Sequence, residues 1–260
     1  MNSITTSSVG LLMFATMTIF TASCGQTKAP EIDLPPISVE CRIPVKVAVI
    51  VDESASMSTS GTAPVKADEL RPLIDALTEC GGALGIGFVR EAPQPGLERI
   101  EFPRPPLLPA APVMFEDEQT YEFDDRVAAF NQLRVDRANS IKSVLEKKKP
   151  EIEGYFRKID DLLARPAAKG TDLNSALNAA DLFLSEPVKE PGWQKALIII
   201  SDGLDNGRKP RRHISSEARV LWVNSTSKDK VLSDYGATRV EALKAAVDDV
   251  INKLQTRGTK

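Results

Sequence analysis

Val45-Lys46-Val47-Ala48-Val49-Ile50-Val51-Asp52-Glu53-Ser54-Ala55-Ser56 is an apolar run that ends in an acidic, hydroxyl-rich cluster. A stretch this rich in β-branched residues reads as a buried strand. Its carboxy-terminal end delivers one carboxylate, Asp52, and two hydroxyls, Ser54 and Ser56, into a single loop. These are hard oxygen ligands, suited to Mg²⁺ or a similar cation.

Mg²⁺ wants an octahedron of oxygens, so further ligands must come from elsewhere in the chain or from water. Two later segments fit. Lys169-Gly170-Thr171-Asp172 sets a glycine and a hydroxyl directly before an amphipathic helix expected over Leu173 to Leu184. Ala196 to Ile200 is a second apolar strand, and it ends in Ser201-Asp202-Gly203. In open parallel α/β sheets, ligands collect in the crevice at the carboxyl ends of the strands. Asp52 and Asp202 are therefore expected to converge there with Thr171.

The succession Asp-x-Ser-x-Ser, then Gly-Thr before a helix, then Ser-Asp-Gly after an apolar strand resembles the von Willebrand factor type A domain with its metal-ion-dependent adhesion site. The resemblance implies Asp52, Ser54, Ser56, Thr171 and Asp202 as the metal-site residues, with Mg²⁺ or Mn²⁺ as the ion. It also implies that Asp202 acts directly or through water, and that one coordination position stays open for an Asp or Glu of a protein partner. Ala55 stands where the family often has glycine, and the Thr171 loop lies unusually far downstream. The fold implied is a doubly wound, Rossmann-like α/β sandwich of three layers, its sheet mainly parallel with one antiparallel edge strand.

Length and charge agree with one such domain. The chain has 260 residues and a net charge of -3, which argues against a general nucleic-acid binder. Residues 1–23 do not belong to the fold: Val9 to Ala22 is apolar, uncharged and too short to span a bilayer comfortably, and reads as an export signal. Thr21-Ala22-Ser23-Cys24 resembles a bacterial lipoprotein processing box. That resemblance implies a lipid on Cys24 and anchorage to a membrane of the cell envelope, the alternative being a soluble exported protein. Residues 24–40, rich in proline and polar residues up to Pro36, read as linker, and residues 41–258 as the domain.

In a domain of this type the first strand runs towards the metal face and the first helix runs back. Cys41 and Cys80 then share the opposite pole and can pair, which an exported compartment permits. Such a bridge is worth about 4 kcal/mol in the chain-entropy model. Two unpaired buried thiols are the alternative.

Between these anchors a helix is expected from about Ala67 to Cys80, with Pro72 delaying its regular part to about Arg71 and Gly81-Gly82 stopping it. Ala83 to Arg90 and Leu97 to Phe102 read as an antiparallel hairpin at one sheet edge. About 103–149 is an insertion: a proline-rich extended arm, an acidic patch from Glu116 to Asp125, and a helix with the stripe Phe123, Val127, Phe130, Leu133, Ala138, Ile141, Leu145. That helix either packs on the domain's own flank or serves as a partner arm. Pro150 is expected to break it, with Ile152, Phe156, Ile159 and Leu163 restarting a second one. Beyond Asp202, Arg208, Lys209, Arg211 and Arg212 form a basic loop that leaves the sheet at the metal face, where it can steer an acidic partner. Val220 to Val223, a short strand near Ala237 to Ala242, and an amphipathic helix through Leu243, Val247, Val250 and Leu254 complete the reading.

The resemblance to the von Willebrand factor type A domain implies a non-enzymatic, metal-dependent protein-binding module. An enzyme of the haloacid-dehalogenase-like phosphatase kind is similar in ending a strand on a Mg²⁺-binding Asp, but it needs an acid/base Asp two residues on, where this chain has Ser54. His213 is the only histidine, in a polar basic loop, so no Ser/His/Asp set is present. A structural envelope scaffold with a non-essential metal site is the remaining alternative.

Overall fold

The computed structural model describes residues 43–57, 59–60, 63–90, 96–168, 170, 172–187, 193–203, 214, 217–224 and 229–256. The chain divides into two units, Met1–Pro35 and Pro36–Lys260. The first lies wholly outside the described residues, as do the expected export signal, Cys24, the linker and Cys41. Among the described residues no helix is long and apolar enough to cross a membrane.

Strand β1, Val45–Asp52, is buried along its whole length, as its β-branched run requires. It lies mid-sheet, in parallel with β2 (Gly82–Val89) on one side and β4 (Gln194–Ile200) on the other. The six described strands run in the order β3-β2-β1-β4-β5-β6, where β3 is Glu98–Phe102, β5 Arg219–Val223 and β6 Thr238–Val240. Only the β2–β3 pairing is antiparallel, and it puts β3 at the sheet edge.

Side chains alternate across a strand, so β1 feeds two cores. Val45, Val47, Val49 and Val51 pack with helices α1 (Arg71–Cys80), the last turns of α2 (Thr120–Leu163) and α5 (Leu243–Thr256). Ala48 and Ile50 face the other way, against α3 (Leu173–Ser185) and the short α4 (Asp229–Asp234). Two helical layers on a mainly parallel sheet are the doubly wound α/β sandwich expected from the sequence. Lys46, also on the second face, keeps its charge satisfied at the rim by donating to Phe183 O at 2.9 Å.

The return from α1 to β2 depends on glycine. Gly81 adopts φ 74° and Gly82 φ 145°, and a Cβ on Gly82 would stand 2.0 Å from Val45 O. Val45 N donates to Gly81 O at 3.2 Å, so the end of α1 lies beside the start of β1, at the pole opposite Asp52. Cys80 lies there too, 1% exposed.

Helix α1 begins as expected: a 3-10 turn over Ala67–Leu70 precedes Arg71, and Pro72 occupies the first turn, where its missing N–H costs nothing. At Pro150 the expectation fails. Instead of breaking there, α2 runs as one helix of 44 residues with the proline inside it. A proline in a helix interior costs about 3 kcal/mol. Here it is offset by burial of Ile152, Tyr155, Phe156, Ile159 and Leu162 just beyond it, and a Lys148–Glu151 ion pair at 2.8 Å spans the site. Pro150→Ala is therefore expected to stabilise the protein by about 2 kcal/mol, less than the full proline penalty because the unfolded chain also gains freedom. Urea denaturation of the two proteins measures it.

The stripe on the first half of α2 is half-buried rather than enclosed, and Leu133 remains 46% exposed. The proline-rich arm folds back along it: Arg126 pairs with Glu118 and donates to Val113 O at 2.9 Å. Arg137 donates to Pro106 O at 2.5 Å and to Glu79 O at 2.7 Å, tying helix, arm and the end of α1 together. Helix α4 escaped the sequence reading because six residues carry too little periodicity to register.

Candidate metal centre

Asp52 is the last residue of β1, and the parallel register sets it one position beyond the Val51–Ile200 pair. Its carboxylate is thereby level with Ser201 at the end of β4. Ser201 Oγ donates to Asp52 Oδ2 at 2.7 Å, and Ser54 N donates to Oδ1 at 2.9 Å. Both oxygens of a side chain in a residue only 3% exposed are thus fixed in direction. Ser54 Oγ and Ser56 Oγ lie 2.9 Å apart in the same turn. The two-residue spacing read from the sequence does bring these hydroxyls together.

Burial pushes the Asp52 carboxyl above its ordinary value; the bonds from Ser201 and Ser54 pull it back, and the nearby charge of Asp202 pushes it up again. Asp202 belongs to the turn after β4, where Met57 Sδ accepts its backbone N–H at 3.2 Å. Asp202 is near enough for its charge to act on Asp52, a repulsion that a cation between them would relieve. Among the described residues no three His, Cys, Asp or Glu side chains gather to hold a metal. An ion here would rest on two carboxylates completed by hydroxyls, a hard-oxygen set that suits Mg²⁺ or Mn²⁺ and not a thiolate- or imidazole-preferring metal.

Thr171 lies outside the described residues, but both flanks of its loop are held against the centre. Ser54 forms a parallel bridge with Ala168; Ala168 N donates to Glu53 O at 2.9 Å, and Ala55 N to Ala168 O at 3.3 Å. On the other flank Asp172 caps α3, accepting from Ser175 N at 3.0 Å and Ser175 Oγ at 2.6 Å. Arg208, Lys209, Arg211 and Arg212 lie outside the described residues too.

Four residues here were given no role from sequence. Ser201 is the bridge between Asp52 and β4: its Oγ also accepts from Gly203 N at 3.0 Å, and its carbonyl accepts from Trp222 Nε1 at 2.7 Å. A hydroxyl at a strand end beside a candidate ligand was the available signal. Met57 and the Glu53–Arg90 ion pair had none, because each matters only through a residue distant in sequence.

No protein-family model and no curated protein matches the chain. Among solved structures, the pilus adhesin SpaC from Lactobacillus rhamnosus GG is similar with TM-score 0.43 and 12% identity, over 83% of this chain and 31% of that one. A von Willebrand factor type A structure from Catenulispora acidiphila is similar with TM-score 0.42 and 13% identity, over 82% and 42%. Proximal thread matrix protein 1 from the mussel byssus has TM-score 0.40 and 12% identity, over 84% and 48%. The chain spans less than half the length of each of the three. The fold stated above rests on its own strand order and layering, not on these likenesses.

Proposed function

We propose that this chain is a metal-ion-dependent protein-binding module of the cell envelope, of the von Willebrand factor type A kind, and not an enzyme. The observation that carries the reading is the gathering of Asp52, Ser54 and Ser56 in one turn, against Ser201 and Asp202 at the end of the neighbouring strand. Asp52, Ser54, Ser56 and Thr171, with Asp202 direct or through water, would hold Mg²⁺ or Mn²⁺. The ion supplies a Lewis-acidic position that an exposed Asp or Glu of a partner protein can fill. The basic residues Arg208, Lys209, Arg211 and Arg212 follow Asp202 closely in sequence and would attract that acidic group by long-range charge. Nucleic acid is not part of this reading.

Affinity capture from envelope extracts, with Mg²⁺ and with chelator, tests it. A partner retained only with Mg²⁺ is the expected result, and Thr171→Ala should release it as chelator does. Replacing Arg211 and Arg212 by Ala should mainly slow association and flatten its salt dependence, since screened attraction and not a ligand bond is lost. Binding unchanged by chelator would leave a structural scaffold whose metal is incidental.

The covalent state is part of the same reading. Lipid on Cys24 would anchor the module to a bacterial membrane, and Cys41 is the proposed partner of Cys80, supported by the burial of Cys80 at the pole where β1 begins. Mass spectrometry of the native protein is expected to find Cys41 joined to Cys80 and a lipidated amino terminus at Cys24. A Cys41 free to alkylate would refute the pairing, and intact sequence upstream of Cys24 would refute the anchor.

A further inference from the structure

We propose that Glu53 and Arg90 form an ion-pair brace that holds the two loops of the metal centre at their working separation. The pair acts by position and not as ligands, and its effect on the ion rests on the metal reading above. Glu53 occupies the unspecified second place of Asp-x-Ser-x-Ser, where the motif itself asks for no carboxylate. Its Oε2 lies 2.5 Å from Arg90 Nη2, with side chains 8% and 21% exposed.

The same two residues hold the opposing loop through their backbones. Ala168 N donates to Glu53 O at 2.9 Å, and Asp172 N donates to Arg90 O at 3.3 Å. Arg90 Nη2 reaches further, donating to Leu162 O at 3.1 Å in the last turn of α2. The segment from Leu162 to Asp172, which carries Thr171, is therefore attached at three points to one member or the other of a single ion pair. One member follows Asp52 at the end of β1, and the other follows the adjacent end of β2. A pair this shielded is weakly screened by salt, and loss of either partner takes the nearest opposite charge from the other, Glu53 keeping only the more distant Arg165. The geometry thus transmits the spacing of β1 and β2 to the loop of Thr171.

Glu53→Gln, Arg90→Gln and the double variant test this with two readouts. In metal-free protein, hydrogen exchange at the Ala168 and Asp172 amides should speed up about tenfold or more in each single variant, while β1 amides stay protected. With Mg²⁺ present, calorimetry should give affinity weakened about tenfold in each single variant, as for residues that orient metal ligands. The double variant should be no worse than the poorer single one, because the two charges act as a unit. Losses that add in the double variant, or wild-type exchange in the singles, would overturn the brace. Should a single variant lose β1 protection as well, Arg90→Lys, which keeps the charge but lacks the fork that reaches Leu162 O, provides the same comparison in a folded protein. Wild-type protein that takes up no Mg²⁺ while the variants still lose protection would remove the metal reading and keep the brace. Wild-type uptake with unchanged variants would do the reverse.

Discussion

Asp52→Asn is expected to weaken Mg²⁺ binding by about 100-fold or more, equivalent to about 2.7 kcal/mol, while leaving the fold intact. The amide retains an oxygen for Ser54 N and can still hydrogen-bond Ser201 Oγ, so the strand end keeps its partners. What it loses is the charge that the ion needs. Without metal that charge is a burden: burial and Asp202 hold the Asp52 carboxyl above its ordinary value, so the folded state binds this proton more tightly than the unfolded chain does. The metal-free wild type should therefore lose stability as pH rises from the unfolded carboxyl's titration through the folded one, and Asp52→Asn should lack that decline. Mg²⁺ should reverse the penalty in the wild type, adding about 2.7 kcal/mol at 100-fold excess over its Kd by mass action, and at the same concentration add no more than about 0.4 kcal/mol in the variant. Thermal melts across pH, with Mg²⁺ or chelator, measure all of this. Equal Mg²⁺ shifts in both proteins would remove Asp52 from the ligand set.

Trp222→Ala is expected to cost about 3–5 kcal/mol, the range for emptying a large buried aromatic site. Trp222 is fully buried in the core beneath α3, with the Tyr235 ring tilted against it at 5.6 Å between centroids. Trp222→Phe keeps most of that volume but leaves Ser201 O without the indole donor, a loss of about 1–3 kcal/mol for a buried carbonyl. Since Ser201 orients Asp52 Oδ2, the Phe variant should also bind Mg²⁺ more weakly, whereas a purely volumetric role would leave affinity untouched. Urea denaturation and calorimetry on the two variants separate the contributions.

The sheet was legible because its strands carry their environment in their composition. Val47 to Val51 and Ala196 to Ile200 are apolar on both faces, which only an interior strand tolerates, and the antiparallel edge followed from the turn between Ala83–Arg90 and Leu97–Phe102. Pro150 was misread for an energetic reason. Local propensity ends a helix at proline, but the buried residues that follow it in α2 contribute more than the proline costs.

The spacing of Asp52, Ser54 and Ser56 by itself determined that one carboxylate and two hydroxyls would share a turn, because residues two apart at a strand end have nowhere else to go. Which residues hold that turn in place was decided only by tertiary structure. Ser201 reaches Asp52 across 149 residues, Arg90 reaches Leu162 across 72, and Ala168 docks beside Ser54 from a loop at the far end of a 44-residue helix. Such contacts arise from strand register and layer packing, which no local stretch of sequence contains.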